Sequence, residues 1–142
     1  GVFLDTLWQS GQEDSAVALV AAVRSNWPSA FVAVNNAHDF KYRVKDMVDA
    51  YMFENFWDSG TKASSMDGQW YLAQFAEYAE LKKAYGKKLY ALSYGNPFVQ
   101  TAWAKIVKSY ANAYGFDLLF ANSNLTTVTG YLDSKTNSIL KP

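Results

Sequence analysis

The feature that most constrains the fold is a regular alternation of short apolar runs with longer helical patterns. Five runs are dense in apolar, β-branched and aromatic side chains, which is typical of strands buried in a parallel sheet. They cover residues 2–4, 31–34, 51–53, 89–92 and 118–120. Helical patterns lie between them, over residues 15–25, 42–49, 69–84 and 99–114. The sequence therefore predicts five strands connected by four helices.

This order predicts an α/β fold, because strands that alternate with helices form a mainly parallel sheet through right-handed crossovers. We expect residues 1–142 to form a single α/β domain. Two architectures fit the pattern: a five-stranded doubly wound sheet, and a partial (half) TIM barrel. A complete barrel needs about 250 residues, so length alone favours the doubly wound sheet.

Composition excludes several classes of protein. The 13 basic and 13 acidic residues cancel, so we expect no nucleic-acid partner. The apolar runs are too short to span a membrane. The chain has no cysteine, which excludes disulfides and thiolate metal sites and fits an extracellular location.

Two carboxylates follow predicted strands directly: Asp5 after the first strand and Glu54 after the third. Ligands of parallel α/β proteins bind beyond the carboxyl ends of the strands. Glycoside hydrolysis needs two carboxylates, one as general acid and one as nucleophile or base. The sequence therefore predicts Asp5 and Glu54 as a catalytic pair, although an Asp after a strand also serves as a helix cap. Glu54 is favoured as the acid because apolar Phe53 and Phe56 flank it.

Aromatic and amide side chains are predicted at the same rim. Flat aromatic faces suit the apolar faces of sugar rings, and amides can bond their hydroxyl groups. The candidates for substrate binding are Trp8, Asn35, Trp57, Tyr94, Asn96 and Asn122. Packing in the core is an equally good interpretation of the tryptophans, and turns accept asparagine readily.

Other catalytic chemistries lack their residues. His38 is the only histidine, which rules out a histidine-rich metal site. It lies on a predicted rim loop, where a hydrogen-bonding role is favoured over that of a base. No Gly-x-Ser-x-Gly elbow, Gly-x-Gly-x-x-Gly turn or Walker loop is present. We therefore expect no metal and no cofactor, with a cation held by Asp5 and Glu54 as the less favoured alternative.

Several short motifs together resemble one family of enzymes. Residues 1–6, GVFLDT, resemble a strand of the endo-α-1,4-polygalactosaminidase-like glycoside hydrolases, which are TIM barrels. The family has a catalytic Asp on this strand and a catalytic Glu at the end of a later one, which correspond here to Asp5 and Glu54. Residues 89–94, LYALSY, match a family strand that ends in tyrosine, and residues 127–133, TVTGYLD, resemble the last segment of the family.

The resemblance implies that the chain is the C-terminal part of a larger (β/α)8 barrel. It would then need the missing N-terminal half or partner chains. The implied activity is hydrolysis of a polysaccharide or oligosaccharide, one rich in amino sugars. The alternative is a non-catalytic carbohydrate-binding or structural assembly module on the same fold.

Overall fold

The computed structural model describes residues 1–5, 7, 11–58 and 60–142. Its strands are β1 (Val2–Leu4), β2 (Val32–Asn35), β3 (Ala50–Glu54), β4 (Lys88–Tyr94), β5 (Asp117–Ala121), β6 (Val128–Asp133) and β7 (Ser138–Leu140). Its helices are α1 (Glu13–Asn26), α2 (Lys41–Val44), α3 (Met66–Tyr85) and α4 (Thr101–Tyr114). None of these helices combines the length and the apolarity that crossing a bilayer requires.

The strands form one sheet in which spatial order equals sequence order, from β1 to β7. Strands β1 to β5 are parallel, whereas β6 and β7 are antiparallel. A doubly wound sheet reverses its strand order at a switch point. No reversal occurs in the described sheet, so the doubly wound alternative is wrong. The α/β prediction with a partial TIM-barrel-like sheet is confirmed, and the described sheet is open, with β1 and β7 at its edges.

All four helices pack against one face of the sheet. Strand residues Val34, Phe53 and Phe120 belong to the same buried cluster as Val20 of α1 and Phe75 of α3. Their side chains face one way because they alternate with neighbours that face the other. Helices on a single face, over strands in sequential order, are the arrangement of a barrel wall.

Helix α3 has clear signals at both ends. The Ser65 hydroxyl accepts a hydrogen bond from the Gly68 N–H at 3.0 Å, which caps the first turn. Gly86 takes a left-handed φ of 67° and stops the helix, as the sequence predicts. Gly68 itself is required by packing, since a Cβ there would lie 2.0 Å from the Lys62 carbonyl oxygen. The helix predicted over residues 69–84 is confirmed and begins one turn earlier.

Helix α2 is shorter than the predicted 42–49, because the chain turns after Val44 to reach the start of β3. Asp49 fixes this turn: its carboxylate accepts hydrogen bonds from the Arg24 guanidinium and the Val32 N–H, both at 2.8 Å. Arg24 also donates to the Met47 carbonyl at 2.8 Å. These bonds hold the residues before β3 at the amino-terminal edge of the sheet, where a longer helix would not fit.

The antiparallel hairpin of β6 and β7 was not predicted as strands. It pairs with the free edge of β5, where Phe120 lies opposite Gly130. Asp133 organises the connecting turn, since its carboxylate accepts hydrogen bonds from the backbone of Lys135 and Thr136. The edge of β5 is therefore covered within the chain itself.

Candidate active site

Four polar side chains end neighbouring strands on the face of the sheet opposite the helices. They are Asp5 after β1, Asn35 in β2, Glu54 in β3 and Tyr94 in β4. The residues just before the first three, Leu4, Val34 and Phe53, pack in the helix-facing core. Alternation along the strand turns the polar side chains to the opposite face. The four therefore meet at the carboxyl edge of the parallel strands, where barrel enzymes carry their sites.

Asn35 connects the two predicted catalytic carboxylates. Its Nδ2 donates to Oδ1 of Asp5 at 2.8 Å and to Oε2 of Glu54 at 2.6 Å. The two oxygens are thus separated by no more than the sum of those distances. Asn35 is 2% exposed, so the strands hold the bridging amide in place. Asp5 and Glu54 therefore lie close together on the same face of the sheet.

Tyr94 approaches Glu54 from the other side, and its hydroxyl donates to Oε1 of Glu54. Burial raises the pKa of Tyr94 first, followed by this hydrogen bond and by the charges of Glu54 and Asp5. The phenol therefore stays neutral at working pH and remains a donor. Gly95 follows with a φ of 150°, where a Cβ would lie 2.9 Å from the Trp103 ring. Close packing of the turn after β4 thus fixes the end of the strand.

Asn36 belongs to this arrangement but was not predicted as a site residue. Its Oδ1 accepts a hydrogen bond from the Glu54 N–H at 2.9 Å, and its own N–H donates to the Met52 carbonyl at 2.9 Å. The sequence signal was the pair of asparagines directly after a strand. Amides at that position can bond a neighbouring strand that runs further.

The predicted tryptophans do not join this group. Trp57 is 2% exposed and packs in the helix-facing core, where its ring centroid lies 4.6 Å from that of Tyr110. Its carbonyl accepts a hydrogen bond from the Trp103 indole at 2.8 Å. The structure therefore gives Trp57 a packing position, away from the carboxylates. Trp8 lies outside the described residues.

The two remaining asparagines lie in turns beyond the strand ends. Asn96 is exposed, and its Oδ1 accepts the Phe98 N–H at 3.0 Å. Asn122 shapes the turn between β5 and β6, where its Oδ1 accepts the Thr126 N–H at 2.9 Å and its Nδ2 donates to the Thr126 hydroxyl at 2.8 Å. Both amides organise backbone, and neither is hydrogen-bonded to the carboxylate pair in the described contacts.

His38 lies behind the site, in the aromatic core. Its ring centroid is 4.4 Å from that of Phe53, and its Nδ1 lies 3.3 Å from the Tyr78 hydroxyl. Burial, and then the positive charge of Lys41, lower the pKa of His38 to about 4. The ring is therefore neutral at pH 7 and occupies a packing position, on the opposite side of the sheet from Asp5 and Glu54.

The low pKa of His38 predicts a loss of stability in mild acid. The unfolded histidine takes up a proton near its ordinary 6.5, whereas the folded one does so only near 4. Between pH 6.5 and 4 the unfolded state therefore binds more protons than the folded state. The contribution of neutral His38 to the free energy of unfolding is fully present above pH 6.5 and is lost as the pH falls toward 4. Between pH 7 and 4, we expect the free energy of unfolding of His38→Phe to fall by about 2–3 kcal/mol less than that of the wild type. Urea unfolding of both proteins from pH 7 to 4 measures this, and parallel curves would contradict it.

Among the described residues, no group of three or more His, Cys, Asp or Glu side chains is arranged to hold an ion. The nitrogen of Asn35 donates to both carboxylates, so a cation between them would have to displace that bond. The arrangement is suited to proton transfer and nucleophilic attack.

The fold and the rim residues define an open, barrel-like α/β domain with paired carboxylates at its carboxyl edge. The sequence matches no protein-family model and no curated protein. Among solved structures, it is similar to the glycoside hydrolase domain of PelA from Pseudomonas aeruginosa, with a TM-score of 0.65 and 17% identity. The match covers 89% of this chain and 55% of that chain. The likeness establishes a fold shared with a glycoside hydrolase domain, of which this chain spans about half the length.

Proposed function

We propose that the chain carries the catalytic carboxylates of a glycoside hydrolase that cleaves a polysaccharide or oligosaccharide. The observation that carries the proposal is the bridge from Asn35 to both Asp5 and Glu54. A buried amide that holds two carboxylates together at the strand ends supplies the minimum set for this reaction. The similarity in fold to a glycoside hydrolase domain supports a carbohydrate-active role.

In this proposal Glu54 donates a proton and Asp5 is the nucleophile. Retaining enzymes hold their carboxyl groups roughly 5–5.5 Å apart, which suits two oxygens bonded to one nitrogen. Asp5 forms a bond to the anomeric carbon while the glycosidic bond breaks and the leaving oxygen takes the proton of Glu54. Tyr94 and Asn35 stabilise the Glu54 carboxylate that remains. Glu54 then removes a proton from the water that releases the sugar from Asp5.

The substrate part of the proposal comes from the sequence resemblance, which points to a polysaccharide rich in amino sugars. Asn96, exposed on the turn after β4, and Asn122 after β5 are proposed contacts at the rim. Trp8 stays a prediction, and Trp57 is left out because it is buried in the core. Secretion also stays a prediction, and it would be consistent with a polymeric substrate outside the cell.

The proposal also includes further βα units at the edge of β1. Phe3 of this strand is 51% exposed, although it lies on the face that a barrel would enclose. Leu7, which follows β1, and Ala16 and Leu19 of α1 line a shallow pocket. A further strand and helix would cover these apolar groups and complete the surroundings of Asp5. The glycoside hydrolase domain of PelA is longer than this chain, which covers 55% of it.

Release of reducing ends tests the function. Full-length protein is incubated with polymers rich in amino sugars, their acetylated forms and neutral glucans. A new reducing end and shortened products are expected from at least one amino-sugar polymer. Tight binding without cleavage would favour the non-catalytic carbohydrate-binding module, and neither binding nor cleavage would contradict both interpretations.

A further inference from the structure

The end of β3 extends beyond the end of β2. Asn35, the last residue of β2, pairs with Met52, so Glu54 lies beyond the last β2 partner. The N–H of Glu54 needs an acceptor on this side, because unpaired backbone donors in part-buried positions are costly. The side chain of Asn36 supplies it, with Oδ1 accepting that N–H at 2.9 Å.

The backbone of Asn36 explains why its side chain takes this role. Its φ of 48° is left-handed, a conformation that asparagine tolerates better than most residues. The turn leads the chain out of β2 after one more ladder bond, from the Asn36 N–H to the Met52 carbonyl. The side-chain oxygen thus stands where a longer β2 would have placed a carbonyl.

We propose that Asn36 is a positioning residue for the catalytic pair, an inference that rests on the proposed function. Asn35 holds the carboxylate of Glu54, and Asn36 holds its backbone. The two bonds fix the side chain and the main chain of Glu54 from adjacent residues, the last residue of β2 and the one that follows it. Asn36 is bonded to the backbone of Glu54 and acts on the reaction through that residue. Removing the Asn36 side chain leaves the Glu54 carboxylate chemically intact but holds it less firmly in position.

Asn36→Gly is the test variant, because glycine keeps the left-handed backbone and removes the side-chain amide whose Oδ1 accepts the Glu54 N–H. Asn55→Gly is the matched control. Asn55 also has a positive φ, of 55°, and adjoins Glu54, but its side chain donates to Asp58 at 3.2 Å. We expect the Glu54 amide to exchange about five- to tenfold faster in Asn36→Gly, measured by NMR, and to be unchanged in Asn55→Gly.

Kinetics complete the test in full-length protein. We expect kcat of Asn36→Gly to fall about 10–100-fold with KM within about twofold, and Asn55→Gly to keep the wild-type kcat. Unchanged exchange of the Glu54 backbone amide would overturn the proposal that Asn36 holds the backbone of Glu54. Faster exchange with an unchanged kcat would reduce Asn36 to a structural residue and overturn its role in positioning. An inactive wild type would instead overturn the proposed function. The exchange rate would still show whether Asn36 holds the backbone of Glu54.

Discussion

Replacing Glu54 by Gln is expected to lower the rate of glycoside hydrolysis by about 10²–10⁴-fold, because the amide has no proton to donate to the leaving oxygen. Asp5→Asn is expected to cause a loss at least as large, since the amide is a poor nucleophile. Both substitutions keep the shape of the side chain. Initial rates of reducing-end release measure the loss, and the melting temperature of each variant checks that the fold is intact.

The leaving group separates the two roles. An activated aryl glycoside leaves without a proton, so Glu54→Gln is expected to recover most of its bond-breaking rate on it, whereas Asp5→Asn is not. Glu80→Gln and Asp117→Asn are matched controls, because both residues are exposed and lie away from the carboxyl ends of the strands. Wild-type turnover in Glu54→Gln or Asp5→Asn would refute the catalytic assignment. If only Asp5→Asn recovered its rate on the activated glycoside, Asp5 would be the acid and Glu54 the nucleophile.

The order of the elements could be predicted because burial leaves a strong pattern. The first five strands are continuous apolar runs, and each connecting helix repeats its apolar side chains at helical spacing. The polar residue that ends each strand was therefore visible in the sequence. Its direction followed from alternation, which places Asn35 and Glu54 opposite Val34 and Phe53. The bridge made by Asn35 was not predictable, since it depends on the register between strands.

Alternation ends with the strand, and this is why the aromatic residues after Glu54 were misplaced. Asn55 takes a φ of 55°, and the Phe56 N–H donates to the Leu92 carbonyl at 3.0 Å. The turn carries Phe56 and Trp57 into the helix-facing core instead of the rim. The apolar flanks that favoured Glu54 as the acid thus face the other side of the sheet. The hydrogen bonds that Asn35 and Tyr94 donate to Glu54 do not replace that argument, because they stabilise the carboxylate that remains once the proton has left.

The hairpin of β6 and β7 was missed for a different reason. Its strands carry exposed side chains at Val128, Tyr131 and Leu140, so no continuous apolar run marks them. Its place is decided by the free edge of β5, a long-range pairing that leaves little local signal. Residues 127–133 resemble the last segment of the polygalactosaminidase-like family. That resemblance carried no information on the structure of the segment.

Phe53→Ala is expected to be the most destabilising single truncation behind the site, at about 3–5 kcal/mol. Phe53 is 1% exposed, and its ring centroid lies 4.4 Å from that of His38 and 5.2 Å from that of Phe75. Alanine would leave a cavity between β3 and α3 that these rigid rings cannot fill by small movements. Urea unfolding at pH 7 measures the loss.

The control for this effect is Phe98→Ala, the same truncation at a side chain that is 39% exposed beside Lys141. We expect it to cost less than about 1 kcal/mol, because most of its surface stays in water in both states. Equal losses in the two variants would show that the core behind Glu54 does not set the stability of the sheet. A large loss in Phe53→Ala alone would mean that the strand end which carries Glu54 is held from behind by packing, as well as from the side by Asn35 and Asn36 at the end of β2.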